Sequence, residues 1–239
     1  MLSRLEAAFA QEKRFVSDAS HELRTPLAVI QTQCDAALLE QDPLAQQRSL
    51  EAIRKQADKM SKLVRELLTL SRMDANTQVL HMERVDLSSL GEAVIEELLP
   101  QAAKREIQLQ SAIAPDCTML ADETLMLRLL INLLSNAIKF GRPHGYVTLT
   151  IQRESSAWLL GRVEDNGIGI APENLPHIWE RFWQADPART GEDGSSGLGL
   201  PMVQWIVHAH GGSIQAESVP GQGTVFTFRL PIDRQNIQK

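Results

Sequence analysis

No uninterrupted apolar run in this 239-residue chain approaches the ~18 residues of a membrane span, and the N-terminus lacks the pattern of a signal peptide. As it stands, the chain reads as soluble. Cysteine is scarce: Cys34 and Cys117 lie far apart and match no metal spacing, so both read as ordinary residues and a reducing compartment fits. Basic charge is not in excess, since 24 Lys and Arg face 30 Asp and Glu for a net charge of −6. A nucleic-acid surface is therefore excluded, because its phosphates would be repelled. Nor is there a GxxxxGKS string for a P-loop, and the glycine order in GSSGLG is wrong for the Rossmann fingerprint. Two common nucleotide folds drop out.

What is present divides in two, as the length suggests. Leu2, Phe9, Val16, Leu23 and Ile30 recur every seven residues, with Leu5 and Ala19 between them and Glu12 interrupting the seam. This is coiled-coil spacing for a long first helix. After a break near Gln41, Asp42 and Pro43, a second periodic run carries Ile53, Met60, Leu63, Leu67 and Leu70. Two helices alone bury too little apolar surface, so the hairpin over residues 1–78 is expected to dimerise into a four-helix bundle.

Residues 79–239 read as an α+β sandwich with helices on one sheet face. Helices are predicted over Leu87–Ala103, Asp122–Phe140 and Leu198–His210, the last stopping at Gly211 and Gly212. Strands are predicted over Ile107–Gln110, Thr118–Leu120, Tyr146–Arg153, Ala157–Asp165, Ser213–Ser218 and Thr224–Leu230. The stretch from Ala171 to Ser196 has no strong period and reads as a mobile cover.

Two sites stand out. In FVSDASHELRTPL, counting Val16 and Leu23 as core puts His21 on the solvent side of the bundle. Pro26 lacks the amide hydrogen that would bond the carbonyl of Glu22, at a cost of about 3 kcal/mol in an ordinary helix, so a kink is predicted beside His21. Thr25, four residues on, shares the face of His21, and Glu22 supplies an acceptor that would orient one ring nitrogen. SHELRTPL, Ser20 to Leu27, resembles the phosphoacceptor box of two-component sensor histidine kinases. That resemblance implies His21 as the phosphorylated nucleophile, Glu22 as the hydrogen-bonding base and Thr25 as a residue that positions water for dephosphorylating the partner regulator.

The second site begins with LLINLLSNAIKF, where Asn132, Asn136 and Lys139 form a stripe on a leucine-rich helix. An asparagine buried there without a partner would cost about 1–3 kcal/mol, so the stripe is expected to face a polar ligand. EDNGIGI ends an apolar strand with Asp165 and then supplies Gly167 and Gly169, which let backbone approach a ligand. GSSGLGLP, Gly194 to Pro201, is a second glycine cluster feeding a helix, and amides at a helix start attract phosphate.

These strings are similar to the N, G1 and G2 boxes of the histidine-kinase ATP-binding domain, related to gyrase and heat-shock chaperone ATPases. The resemblance implies ATP and Mg²⁺ as ligands. Asn132 is then the Mg²⁺ ligand, Asn136 and Lys139 lie near the phosphates, and Asp165 sits on adenine. Gly167, Gly169, Ile170, Gly197, Leu198 and Gly199 shape the pocket, and Phe140 contacts the base. ERFWQ resembles the F box, with Phe182 anchoring a lid, while Arg181 and Arg189 near it are either γ-phosphate contacts or solvated charge.

The function implied is ATP-dependent autophosphorylation on His21, then transfer to a response-regulator receiver domain. Alternatives are a phosphatase-dominant regulator and a nucleotide-sensing dimeric scaffold. Family members are usually membrane-anchored, so this chain is expected to be a cytoplasmic portion with its sensor and membrane segments upstream. The linker Ala75–His81 is the expected hinge. His81, His144, His177, His208 and His210 are assigned no chemistry.

Overall fold

A computed structural model describes residues 2–74, 79–185 and 196–233, with side chains for 15–73, 79–185 and 196–233. They fall into two compact units, 2–74 with 196–198 and 79–185 with 199–233. In the first, α1 (Leu2–Leu39) and α2 (Pro43–Asp74) pack together as a helical hairpin. The turn is built locally. Asp42 Oδ1 accepts from the Leu44 amide at 3.1 Å, and Pro43, whose missing N–H costs nothing in a first turn, opens α2. Gln46 Nε2 then donates to the carbonyl of Ala37 at 3.2 Å, tying the two helix ends together.

α1 continues through Pro26, which is itself buried. Val16, expected in the core, is 58% exposed, and Leu23 and Ile30 are half-buried. The reason is geometric: a two-helix hairpin covers only one side of each helix, leaving half of each apolar seam open. Leu50, Val64 and Leu68 on α2 are exposed in the same way, whereas Ala37, Leu63, Leu70 and Met73 are buried.

The second unit opens with β1 (Glu83–Asp86), a strand not expected from sequence, which pairs antiparallel with β3 (Thr118–Ala121). Asp86 caps α3 (Leu87–Lys104), accepting from the Ser88 amide and, at 2.6 Å, from the Ser89 hydroxyl. That hydroxyl bond is the main cause holding the Asp86 carboxyl below its ordinary pKa. β2 (Gln108–Ile113), α4 (Glu123–Phe140), β4 (Tyr146–Arg153), β5 (Trp158–Asp165), α5 (Gly199–Ala209), β6 (Ser213–Val219) and β7 (Gly223–Pro231) complete the unit.

Five strands form one sheet in the order β2-β4-β5-β7-β6, antiparallel except for the parallel β2-β4 pair. β4 buries Val147, Leu149 and Ile151, β5 buries Leu159, Gly161, Val163 and Asp165, and β7 buries Thr224, Phe226, Phe228 and Leu230. Period-two burial gives the sheet one apolar face, against which α3, α4 and α5 pack. Gly161 lies opposite Phe228 in register, and a side chain there would collide with the phenyl ring.

The expected loose cover is partly packed. Residues 171–185 include a 3₁₀ turn at Leu175–His177, Ile178 is buried, and Trp179 sets its edge against Phe226 at 6.0 Å. Residues 186–195, with Arg189, lie outside the described residues. So do 75–78 of the expected hinge. His81 is already fastened, its amide donating to Asp122 Oδ2 at 3.0 Å, so it belongs to the folded unit rather than to a free joint.

Candidate active site

Alternation along β5 carries the apolar face from Leu159 to Val163 and then places Asp165 on the same side, 6% exposed. Burial is the largest influence on this carboxyl and raises its pKa above the ordinary value. Backbone amides of Gly167 and Thr224 oppose that shift by donating to it, the Gly167 bond being 2.8 Å to Oδ1, while the charge of Glu164 reinforces it. Gly167 is buried so close to the Phe140 carbonyl that a Cβ would overlap it, and Ile168 N–H donates to that same carbonyl at 3.1 Å. Gly169 turns at φ +68° against the backbone of Val219. Ile170 N–H donates to Ser218 Oγ at 2.7 Å. The loop after β5 is therefore held from two sides, by the end of α4 and by the β6–β7 turn.

On α4 the apolar residues Leu125, Met126, Leu129, Leu130, Leu133, Leu134, Ala137 and Ile138 are buried, and Asn132, Asn136 and Lys139 are half-buried beside them. Asn132 uses its amide nitrogen on its own helix, donating to the Arg128 carbonyl at 2.8 Å. Its Oδ1 points instead at the first residue of α5, where a Cβ on Gly199 would lie 2.9 Å away. An amide oxygen facing space that any side chain would fill suits a hard cation. Among the described residues no three His, Cys, Asp or Glu converge on a point, so such an ion would draw its other ligands from phosphate and water. Lys139 Nζ stands 5.2 Å from the ring centroid of Phe140, which is 40% exposed. Gly197 takes φ +67°, and Leu198 is fully buried.

In the hairpin His21 is exposed on α1, Glu22 is half-buried, and Thr25 is exposed with its hydroxyl 3.5 Å from the His21 carbonyl, the outer limit of a hydrogen bond.

Two segments of this chain match family models. Residues 11–76 match the His Kinase A (phospho-acceptor) domain, and residues 121–234 match the Histidine kinase-, DNA gyrase B-, and HSP90-like ATPase. The chain belongs to the sensor histidine kinases. It is 34% identical over 233 residues to the sensor protein kinase PmrB of Pseudomonas aeruginosa, covering 97% of this chain and 48% of that protein. The match to the sensor-like histidine kinase SenX3 of Mycobacterium tuberculosis is 34% over 230 residues, covering 96% and 55%. The kinase chain thus spans about half the length of the curated relatives it matches. Full-length ShkA in complex with AMPPNP superposes at a TM-score of 0.70 with 28% identity, over 92% of this chain and 45% of that one. ThkA in complex with the response regulator protein TrrA shares the fold at a TM-score of 0.71 and 22% identity, over 96% and 66%.

Several residues around the glycine loop escape sequence reading. Arg142 Nη2 donates to the Gly221 carbonyl, and the Gly221 amide donates to the Ile168 carbonyl at 2.8 Å, so the β6–β7 turn is pinned onto the glycine loop. Ser218 Oγ also bonds the Gly223 carbonyl and Thr224 Oγ1. The Arg142–Gly221, Gly221–Ile168 and Ile170–Ser218 contacts join segments some 50 to 80 residues apart in sequence, and no local spacing announces them. His210 was detectable. It continues the buried stripe of Val203, Ile206 and Val207 on α5, where a polar residue calls for partners.

Proposed function

We propose that this chain is the core of an ATP-dependent protein-histidine kinase that phosphorylates itself on His21 and passes the phosphoryl group to an aspartate of a response-regulator receiver domain. Residues 1–78 are its dimerisation and phosphotransfer module, and 79–239 its ATP-binding domain. The observation that carries this reading is a buried Asp165 carboxylate beside the close-packed Gly167, on a chain whose exposed His21 stands in a matched phospho-acceptor segment.

Asp165 accepts from the exocyclic amino group of adenine, which guanine lacks at that position. Gly167, Gly169 and Ile170 bring backbone up to the base, and the exposed ring of Phe140 covers it. The first amides of α5, at Gly199, attract the phosphates, with Lys139 and Asn136 alongside and Gly197 and Leu198 completing the wall. Asn132 Oδ1 would hold Mg²⁺, which would supply neutralisation of the phosphate charge. A bare ring nitrogen of His21 then attacks the γ-phosphorus in line. The N–P bond forms as the P–O bond to ADP breaks, and the proton on the other ring nitrogen is taken up by Glu22. Pro26 leaves the Glu22 carbonyl without its helical donor, which makes the backbone beside His21 a deformable point for signal input.

Thr25, whose hydroxyl is spent on one long contact, positions water for removing phosphate from the regulator. Exposed leucines and valines along α1 and α2 are covered by a second copy in a four-helix bundle. Among the described residues no helix is long and apolar enough to cross a membrane. We assign membrane attachment to segments upstream of the matched half, with the kinase core on the cytoplasmic side. Calorimetric titration with Mg²⁺ and either ATP or GTP tests the nucleotide site: ATP binds and GTP does not, whereas equal affinity for both contradicts the role given to Asp165.

A further inference from the structure

His210 follows the last residue of α5 and is 2% exposed. A buried imidazole needs a partner at each nitrogen, and both are present. The backbone amide of Asp122 donates to Nε2 at 3.1 Å, and Nδ1 lies 2.8 Å from the carbonyl of Ile206. An amide only donates and a carbonyl only accepts, so Nδ1 carries the proton and Nε2 is bare. Asp122 is the N-cap of α4, its carboxylate accepting from the amides of Leu125 at 3.1 Å and His81 at 3.0 Å. Its own amide precedes the helix and has no acceptor there. His210 supplies one.

This bond ties the C-terminal end of α5 to the N-terminal end of α4. At the other end of α5, Gly199 opens the helix against Asn132, midway along α4. Asp122 to Asn132 is ten positions and Gly199 to His210 eleven, about 15 and 17 Å at the helical rise. α5 therefore runs antiparallel along the first half of α4, bonded at its C-terminal end and closely approached at its start. The apolar contacts between them are non-directional, so they do not by themselves select where α5 stops along α4. A directional bond does.

We propose that His210 is a positioning residue for the nucleotide site: by accepting the Asp122 amide it sets the axial register of α5 on α4 and holds the phosphate-facing start of α5 at Asn132. The inference rests on reading Asn132 and Gly199 as nucleotide-site residues. A slip of one residue would move Gly199 by about 1.5 Å, a displacement large enough to weaken a ligand site severely.

Three variants of the full chain separate this role from simple packing. His210→Gln keeps an acceptor where Nε2 stood, His210→Asn reaches only the Nδ1 position, and His210→Leu keeps bulk alone. Affinity for Mg²⁺-ATP is expected to fall about tenfold or more in the Asn and Leu variants and to stay within about threefold in the Gln variant. Wild-type affinity in all three, or an equal loss in all three, overturns the proposal. Failure of the wild type itself to bind ATP overturns the nucleotide-site reading and the proposal with it. Should the variants not fold, ¹⁵N imidazole spectra of the wild type still decide: a neutral ring protonated on Nδ1 is expected, and protonation on Nε2 contradicts the tie.

Discussion

At Asp165 the alternation of β5 puts a carboxylate where Leu159 and Val163 set an apolar expectation, and burial raises its pKa. The folded protein therefore binds this proton at a higher pH than the unfolded chain does. The ionised form costs stability at neutral pH, and that cost is relieved as pH falls through the raised pKa. Adenine recognition needs the ionised acceptor and is lost over the same range. ATP affinity is thus expected to decline with acidification at a pH above the ordinary value of an aspartate, while Asp165→Asn, weaker by about 10- to 100-fold, shows no such limb. Titrations of both proteins across pH check this; parallel profiles would contradict it. Thr25 belongs to the same scale. Thr25→Ala is expected to keep autophosphorylation and lose regulator dephosphorylation, whereas His21→Gln loses the former outright.

Elements were legible where their period was strong. Buried alternation in TLTIQ and WLLGRVED, the leucine stripe of α4 and the Gly211–Gly212 stop after α5 each carry their own signal. β1 does not, because its four residues bury only Val85 and its partner β3 lies beyond an intervening helix and strand. The glycines read as ligand contacts were partly packing devices, since Gly167 also makes room for the Phe140 carbonyl. Gly161, given no role from sequence, is required by Phe228 across the sheet. Gly161→Ala is expected to destabilise the second unit by about 1–3 kcal/mol through overpacking. A lowered urea midpoint with an unchanged slope supports this, and an unchanged midpoint shows that the sheet yields freely.

Over the whole molecule, what sequence could not supply is the long-range wiring: Arg142 to Gly221, Ile170 to Ser218 and Asp122 to His210 each join segments that only folding brings together. The helical hairpin raises a different matter of scale. Val16, Leu50 and Leu68 are each more than half exposed in the single chain, an arrangement that a second copy would relieve. Light scattering is expected to give twice the 26.6 kDa chain mass, and Leu68→Arg to give the chain mass with the second unit still folded. A monomeric wild type at micromolar concentration would remove the four-helix bundle.

Autophosphorylation on His21 is tested most directly by incubating the chain and His21→Gln with Mg²⁺ and ATP labelled on its γ-phosphate, then treating the labelled protein with acid and with alkali. We predict label on the wild type alone, lost in acid and stable in alkali. Label that persists in His21→Gln, or no label on a wild type that binds ATP, would contradict the assignment.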